Sequence, residues 1–559
     1  MVRGWLLLML ALPMHSQDRT QARSMVISCR GIVATSQTLA SQAGAQVLAR
    51  GGSAMDAAIA ANATLGVVEP QSCGIGGDLF AIYWEAKTGK LTAINAGGWA
   101  PQALTIDVLK ALGQTTMPQE GIQSVTVPGA VDGWSKLHQR FGRLPWGDLF
   151  QPAIYYASQG FPVTEIISAA WGLAADKLER NENAARVFLP GGAPPKVGQV
   201  FRNPQMAAAL RLIAGQGRAA FYTGAIAKAL LKTSSRLGGK MDAADLSEFA
   251  SEWVQPISIE YHGWKVYELP PNGQGIAALE MLNLFSQFPM ASYAPRGAGE
   301  LHAQIEAQKL AYADLQRYVA DPRFAKVPVE GLLSMDYARE RAKLIDPGQA
   351  RCEIPPGQPL ASRGDTIYLS VVDRQGNIAS LIQSVYKSFG SGVVVDDYGF
   401  ALQNRGGLFV MDPLHPNALA PRKRPFHTII PAFMEKGDVH IGFGIMGGLN
   451  QAQAHAQFVS NVVDHGMNIQ AALEAPRFTK KAIGGCDVTV ENRIPKEVRD
   501  RLTAQGHKLE VVGDFSDDMG GGQAVIHDSA TGLNWGASDP RKDGAAVPEP
   551  PPYFAPPRK

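Results

Sequence analysis

A polar, proline-bearing segment runs into a β-strand whose first residue carries a hydroxyl, and that junction constrains the chain more than any other feature. Pro355, Pro356 and Pro359 precede Ser362-Arg363-Gly364-Asp365. The run Thr366-Ile367-Tyr368-Leu369-Ser370-Val371-Val372-Asp373 then has the β-branched and aromatic content of a strand. A threonine opening a strand is commonplace by itself. If the bond before Thr366 is cut, however, one residue holds both nucleophile and base. Its Oγ attacks, and its own α-amine takes the proton. An α-amine titrates near ~8, so a useful fraction is unprotonated at neutral pH.

With 559 residues, 45% hydrophobic and 18% charged, the chain has the makings of a globular protein with a sizeable core. A net charge of +2 supplies neither a basic field for nucleic acid nor an acidic tail. Arg3, the apolar run Trp5 to Leu12, Pro13 and Ser16-Gln17 have the order of a signal peptide over residues 1–17. This predicts export, to a periplasm or beyond. No later stretch is long and apolar enough to predict a stable membrane span. Cys29, Cys73, Cys352 and Cys486 are far apart and fit no zinc spacing; one bridge after export is open to them. No metal-ligand spacing is read among the histidines, and no metal or cofactor is predicted.

Residues 18–365 read as helix-rich and 366–559 as strand-rich. Ser53-Ala54-Met55-Asp56 has the form of a capping box ahead of an alanine-rich helix. Leu39 to Arg50 precedes it as another helix, and Leu79 to Tyr83 follows as a strand. Further helices are predicted over 130–140, 204–214, 224–236, 275–287, 298–318, 450–463 and 495–504. Thr366 to Asp373 and Asn377 to Val385 predict a hairpin turned at Gly376. Val393 to Val395 and Ala401 to Gln403 are read as further sheet, and Pro548 to Lys559 as irregular. The loop between the two halves is a place where a cut is tolerated. After such a cut the arm from Pro355 to Asp365 must move away from the new N-terminus.

Gly442-Phe443-Gly444-Ile445-Met446-Gly447-Gly448 precedes a predicted helix. Consecutive glycines let two backbone N–H groups converge, and a helix start adds partial positive charge. That arrangement suits the oxyanion of a tetrahedral intermediate. A phosphate loop fits less well, because no Lys-Ser/Thr follows.

Several short stretches, taken in order, resemble the γ-glutamyltransferase (glutathione hydrolase) family of N-terminal-nucleophile hydrolases. They are Gly51 to Ala58, Val68-Glu69-Pro70 with Gly74 to Gly77, Val127 to Val131, Thr366 to Asn377, Phe389 to Gly392, Arg424-Pro425, Met446-Gly447-Gly448 and Gly536 to Arg541. The resemblance implies an α/β (α+β) four-layer αββα sandwich built from two autoprocessed chains. It implies that Thr366 Oγ attacks the Asp365 carbonyl, and that large (18–365) and small (366–559) subunits stay associated. Thr366 would then attack a small-molecule amide, and water or an amine would accept the acyl group. Ser384 matches a threonine that hydrogen-bonds the nucleophile, and Gly447 and Gly448 match the oxyanion-hole glycines.

Where the family grips a γ-glutamyl head, this chain departs. Gly97 stands in place of the arginine that binds the α-carboxylate, and Tyr386 in place of the asparagine that holds the α-amine. Arg405 and Leu408 replace an amide and a carboxylate, and His427 and Thr428 replace paired serines. The lid stretch from Phe409 to Pro425 is shorter than in many members. A buried ammonium is disfavoured by these changes. Three readings stay open: a γ-glutamyl-type (glutathione hydrolase-like) donor, an oxamate-amidohydrolase-like or cephalosporin-acylase-like donor, and a non-catalytic binding protein on the same fold. Arg422, Lys423 and Arg424 are read as a solvated loop.

Overall fold

A computed structural model describes residues 21–353, 365–480 and 484–553. The signal segment 1–17 and the arm 354–364 lie outside the described residues. Two seven-stranded antiparallel sheets stack face to face. The first runs, edge to edge, through Ala545–Pro548, Ile32–Thr35, Asp365–Val372, Ile378–Tyr386, Asp78–Glu85, Lys90–Ala96 and Glu252–Val254. The second runs through Val26–Ser28, Leu533–Ser538, Gly522–Asp528, Val439–Ile445, Ala432–Lys436, Trp264–Glu268 and Ile257–Tyr261.

Residue alternation along the strands builds the layers. On the strand beginning at Asp365, Ile367, Leu369 and Val371 point outward into a core shared with the helices Thr38–Ala49, Ala54–Val68, Ala130–Phe141 and Gln151–Gln159. Tyr368 and Val372 point inward, where they meet Ile378, Ile382, Phe433 and Val525 between the sheets. On the far side, Ile441, Phe443 and Ile445 pack beneath Gly275–Phe285, Ala298–Tyr318 and Asn450–Val463. The result is the αββα order expected from the resemblance.

Local signals explain the best-placed elements. Ser53 Oγ accepts from Asp56 N–H at 3.1 Å, and Asp56 Oδ2 accepts from Ser53 N–H at 2.9 Å. This closes the capping box, and every residue of the helix it starts is buried. The hairpin Asp365–Val372/Ile378–Tyr386 turns at Gly376, whose φ is +82°. The predicted helices stand at Ala130–Phe141, Pro204–Gln216, Ala225–Arg236, Gly275–Phe285, Ala298–Tyr318, Asn450–Val463 and Lys496–Ala504.

One expectation fails. Val393–Val395 and Ala401–Gln403 make only the isolated bridge Val394–Ala401, because turns on both sides leave no room for a ladder. The contrast between a helix-rich and a strand-rich part is seen in the element order: among the described residues, sixteen of nineteen α-helices precede Thr366, and ten of nineteen strands fall in the shorter stretch from Asp365 onward. Among the described residues, seven of the fourteen sandwich strands precede Thr366 and seven follow or contain it. Each sheet therefore draws on both prospective chains. Pro548 closes the strand Ala545–Pro548, which pairs antiparallel with Ile32–Thr35; Glu549–Tyr553 is irregular.

Candidate active site

Thr366 sits at the inward-facing edge of the central hairpin. Asp365 pairs with Tyr386 and Ile367 with Gln383, so Ser384 and Val385 together oppose Thr366 in a β-bulge. Tyr386 takes φ +80°, a costly conformation for a non-glycine residue, and its N–H donates to Ser384 Oγ at 2.7 Å. Thr366 Oγ1 also donates to Ser384 Oγ, at 3.3 Å. Ser384 thus holds the Thr366 hydroxyl by its proton, and both residues are buried. Gly77 is a glycine for a steric reason: a Cβ there would lie 2.5 Å from the Ser384 carbonyl oxygen.

Side chains of the same strand locate the partner across the sandwich. Ser370 Oγ donates to the Gly442 carbonyl at 3.2 Å, and a Cβ on Gly444 would meet the Tyr368 ring at 2.5 Å. Stepping two residues at a time, Thr366 falls opposite residue 446, at the door of the turn Gly447-Gly448. This turn joins strand Val439–Ile445 to helix Asn450–Val463. Gly447 has φ +127° and Gly448 φ +62°. Among the described residues neither glycine N–H donates to an acceptor. Two unengaged donors at a helix start have the form that an oxyanion hole requires.

The turn is braced from two sides. Gln274 Nε2 donates to the Gly448 carbonyl at 2.7 Å and to the Thr428 carbonyl at 2.5 Å. The Met446 N–H donates to the Gly521 carbonyl at 3.1 Å, and a Cβ on Gly447 would touch Gly520 Cα at 3.3 Å. The segment Met519–Gly521 is held by Arg477, whose Nη1 donates to the Met519 and Gly520 carbonyls. Arg477 pairs with Asp539 at 2.7 Å, and Arg541 binds Glu491 through two bonds of 2.7 and 2.6 Å. The stretch Gly536 to Arg541 therefore serves the site from behind.

Tyr386, Arg405, His427 and Thr428 are all buried and converge beside the hairpin. The Arg405 guanidinium lies 4.6 Å over the Tyr386 ring, and its Nη1 donates to Thr428 Oγ1 at 2.5 Å. Its Nε and Nη2 have no hydrogen-bond partner among the described residues. Burial brings the Arg405 pKa down to about 10, against the pull of Asp78. Leu408 packs in the same apolar cluster as Tyr386, Phe426 and Leu449. Gly407, Phe426 and Leu449 also line a cavity of about 740 Å³, together with Met117, Phe409 and Met411 among others.

His427 faces Asp78. Its Nε2 is 3.1 Å from Asp78 Oδ2, while its Nδ1 accepts from Ile429 N–H at 3.3 Å, which assigns the proton to Nε2. Asp78 Oδ1 accepts from the N–H groups of Gly98 and Gly129 at 3.1 and 3.2 Å. Burial pushes the Asp78 carboxyl up to about 7 despite Arg405 and these donors. Burial, aided by Arg405 and Arg424, holds the His427 imidazole well below its usual range. The pair therefore carries at most one charge. A Cβ on Gly97 would lie 3.2 Å from Phe80 and 3.4 Å from His427, so the His427 ring takes the space a larger residue at 97 needs.

A pH dependence follows from Asp78. Its folded pKa exceeds the unfolded value of about 3.9. The stability it contributes is fully present below that value and is lost as pH rises through about 7. Asp78→Asn is expected to gain thermal stability relative to the parent between pH 5 and pH 8; a gap that stays constant over that range contradicts the burial argument.

Sequence reasoning missed Asp78 and Gln274. Asp78 directly follows Gly74 to Gly77, so the motif gave a signal; Gln274 gave none. The basic loop is a correction. Lys423 and Arg424 are buried, and Arg424 pairs with Glu252 at 2.7 Å while Arg422 reaches Asp245 at 3.1 Å. Neighbouring carboxylates, not solvent, take up these charges. The one-turn spacing of His302 and Glu306 was also overlooked; with His507 they form a buried cluster. Its carboxylate already holds Lys309 Nζ at 2.6 Å, and it contributes nothing to the site around Thr366.

Residues 40–549 match the family model described as Gamma-glutamyltranspeptidase. The chain belongs to the γ-glutamyltranspeptidase family. It is 37% identical over 531 residues to a glutathione hydrolase-like proenzyme of Bacillus subtilis, covering 93% of this chain and 99% of that one. It is 34% identical to the oxamate amidohydrolase proenzyme of Klebsiella pneumoniae, covering 93% and 99%. The crystal structure of cephalosporin acylase from Bacillus halodurans superposes with a TM-score of 0.89 at 42% identity, covering 96% of this chain and 99% of that one. The chain is thus an amidohydrolase-type enzyme of this family. Among its described residues no helix is long and apolar enough to cross a membrane.

Proposed function

We propose that this chain is a self-cleaving N-terminal-threonine amidohydrolase that also has the means to transfer its acyl group. The observation that carries this reading is the Thr366 hydroxyl, held by Ser384 at the start of the central hairpin; the unengaged Gly447 and Gly448 N–H groups at the end of the strand across the sandwich support it. In the precursor, Thr366 Oγ1 attacks the Asp365 carbonyl carbon. The C–N bond breaks as the ester forms, which frees the Thr366 α-amine, and water then hydrolyses the ester to release the Asp365 carboxylate and restore the Thr366 hydroxyl. In each turnover that amine takes the hydroxyl proton while Oγ1 attacks the substrate amide. Gly447 and Gly448 N–H groups stabilise the oxyanion, and the ammonium returns its proton to the leaving amine. Water or a second amine then takes the acyl group from Thr366.

The acyl group we assign is not a zwitterionic γ-glutamyl head. Where such a head needs acceptors for its ammonium, the pocket offers the Arg405 cation and Leu408. A γ-glutamyl donor is the second reading, favoured by family membership. Export is part of the proposal, supported by a Cys352–Cys486 disulfide, a bond that persists in oxidising compartments. Matured protein incubated with a γ-glutamyl anilide, simple acyl anilides and oxamate separates the readings. Faster turnover of oxamate or an acyl anilide is expected; a strong preference for the γ-glutamyl compound reverses the assignment.

A further inference from the structure

We infer that the acyl half of the substrate carries a carboxylate of its own, held by Arg405. This rests on Thr366 as the nucleophile. Nη1 of Arg405 is spent on Thr428, whereas Nε and Nη2, the two donors along one edge of the guanidinium, are buried and unpartnered. That edge matches the two oxygens of a carboxylate. A buried cation without an anion is costly, and the Tyr386 ring offsets only part of the cost. Asp78 pulls on Arg405 but is committed to His427, Gly98 and Gly129. Thr428 and Gln274 join Arg405 to the Gly448 carbonyl, so a bound carboxylate is registered against the oxyanion turn.

Oxalyl, malonyl and succinyl 4-nitroanilides, each beside its methyl ester, test this on matured protein. At least one acid is expected to exceed its ester in kcat/KM by about 10²-fold, the worth of one bidentate charged contact. Arg405→Gln is expected to erase that preference, the acid falling at least about tenfold more than its ester, and Arg405→Lys to restore part of it. Self-cleavage of both variants into two fragments reports an intact nucleophile. Equal turnover of acid and ester by the parent, or an equal fall for both in Arg405→Gln, overturns the inference. A parent chain that never cuts itself fails the nucleophile reading instead, and this inference with it.

The disulfide supports a separate proposal. Cys352 and Cys486 are bonded across 134 positions, and the Asp365–Thr366 bond lies between them. We propose that after self-cleavage the two chains stay covalently joined through Cys352–Cys486. The Arg351 N–H donates to Glu306 at 3.1 Å, Lys309 donates to the Arg351 carbonyl at 3.0 Å, and the Ala350 N–H donates to the Gln505 carbonyl at 2.7 Å. The Lys508 N–H donates to the Cys486 carbonyl at 2.8 Å, so the bond joins two anchored backbones, and only residues 353–365 of the first chain extend beyond it. Electrophoresis is expected to give one full-length band without reductant and two with it. A non-reduced digest is expected to yield the Cys352–Cys486 peptide pair. Two bands in both lanes, or no such pair in the digest, overturns the tether. One band in both lanes overturns its interchain role and marks failure of cleavage.

Discussion

Thr366→Ala is expected to leave the purified protein as one uncut polypeptide and to lower amide turnover by about 10⁴-fold or more. Removing the hydroxyl deletes the attacking atom of both reactions, so cutting and turnover fall together. Thr366→Ser is the informative partner: it keeps a hydroxyl within reach of Ser384 and an α-amine after cleavage, and is expected to retain both activities at reduced rate. Electrophoresis and an anilide assay on the same preparations read the two effects. An alanine variant that still cuts itself, or still turns over at a tenth of the parental rate, contradicts the assignment.

Arg541→Ala is expected to cost about 3–5 kcal/mol of stability, because it strips a fully buried cation from Glu491 and Asp539. Denaturant unfolding measures the loss. The exposed pair Lys496–Asp500 is the control: Lys496→Ala is expected to change stability by no more than about 0.5 kcal/mol. The same network supports Met519–Gly521 behind the oxyanion turn, so the surviving folded Arg541→Ala is also expected to turn over more slowly. A loss under about 1 kcal/mol contradicts the buried-pair account.

Local chemistry was legible in the sequence. The capping box at Ser53, the hairpin turning at Gly376 and the nucleophile strand depend on residues within a few positions of one another. The glycine pair at 447–448 was legible for the same reason, since a turn between strand and helix needs the backbone freedom that glycine supplies. The first-chain edge strands Val26–Ser28 and Glu252–Val254 were not, because three-residue strands gain their order from a neighbour, not from their own pattern. Loop 422–424 read as solvated because the carboxylates that neutralise it, Asp245, Glu252 and Asp321, lie more than a hundred positions upstream, save by folding. Arg405 was identifiable as a departure from the family, but its free edge became visible only with Thr428 and Tyr386 in place.

The most direct measurement is N-terminal sequencing, with intact mass, of the smaller fragment from active protein. The account predicts Thr366 as its first residue, with an unmodified α-amine. Full activity from a chain continuous through residues 365 and 366, or from a fragment beginning elsewhere, would contradict it.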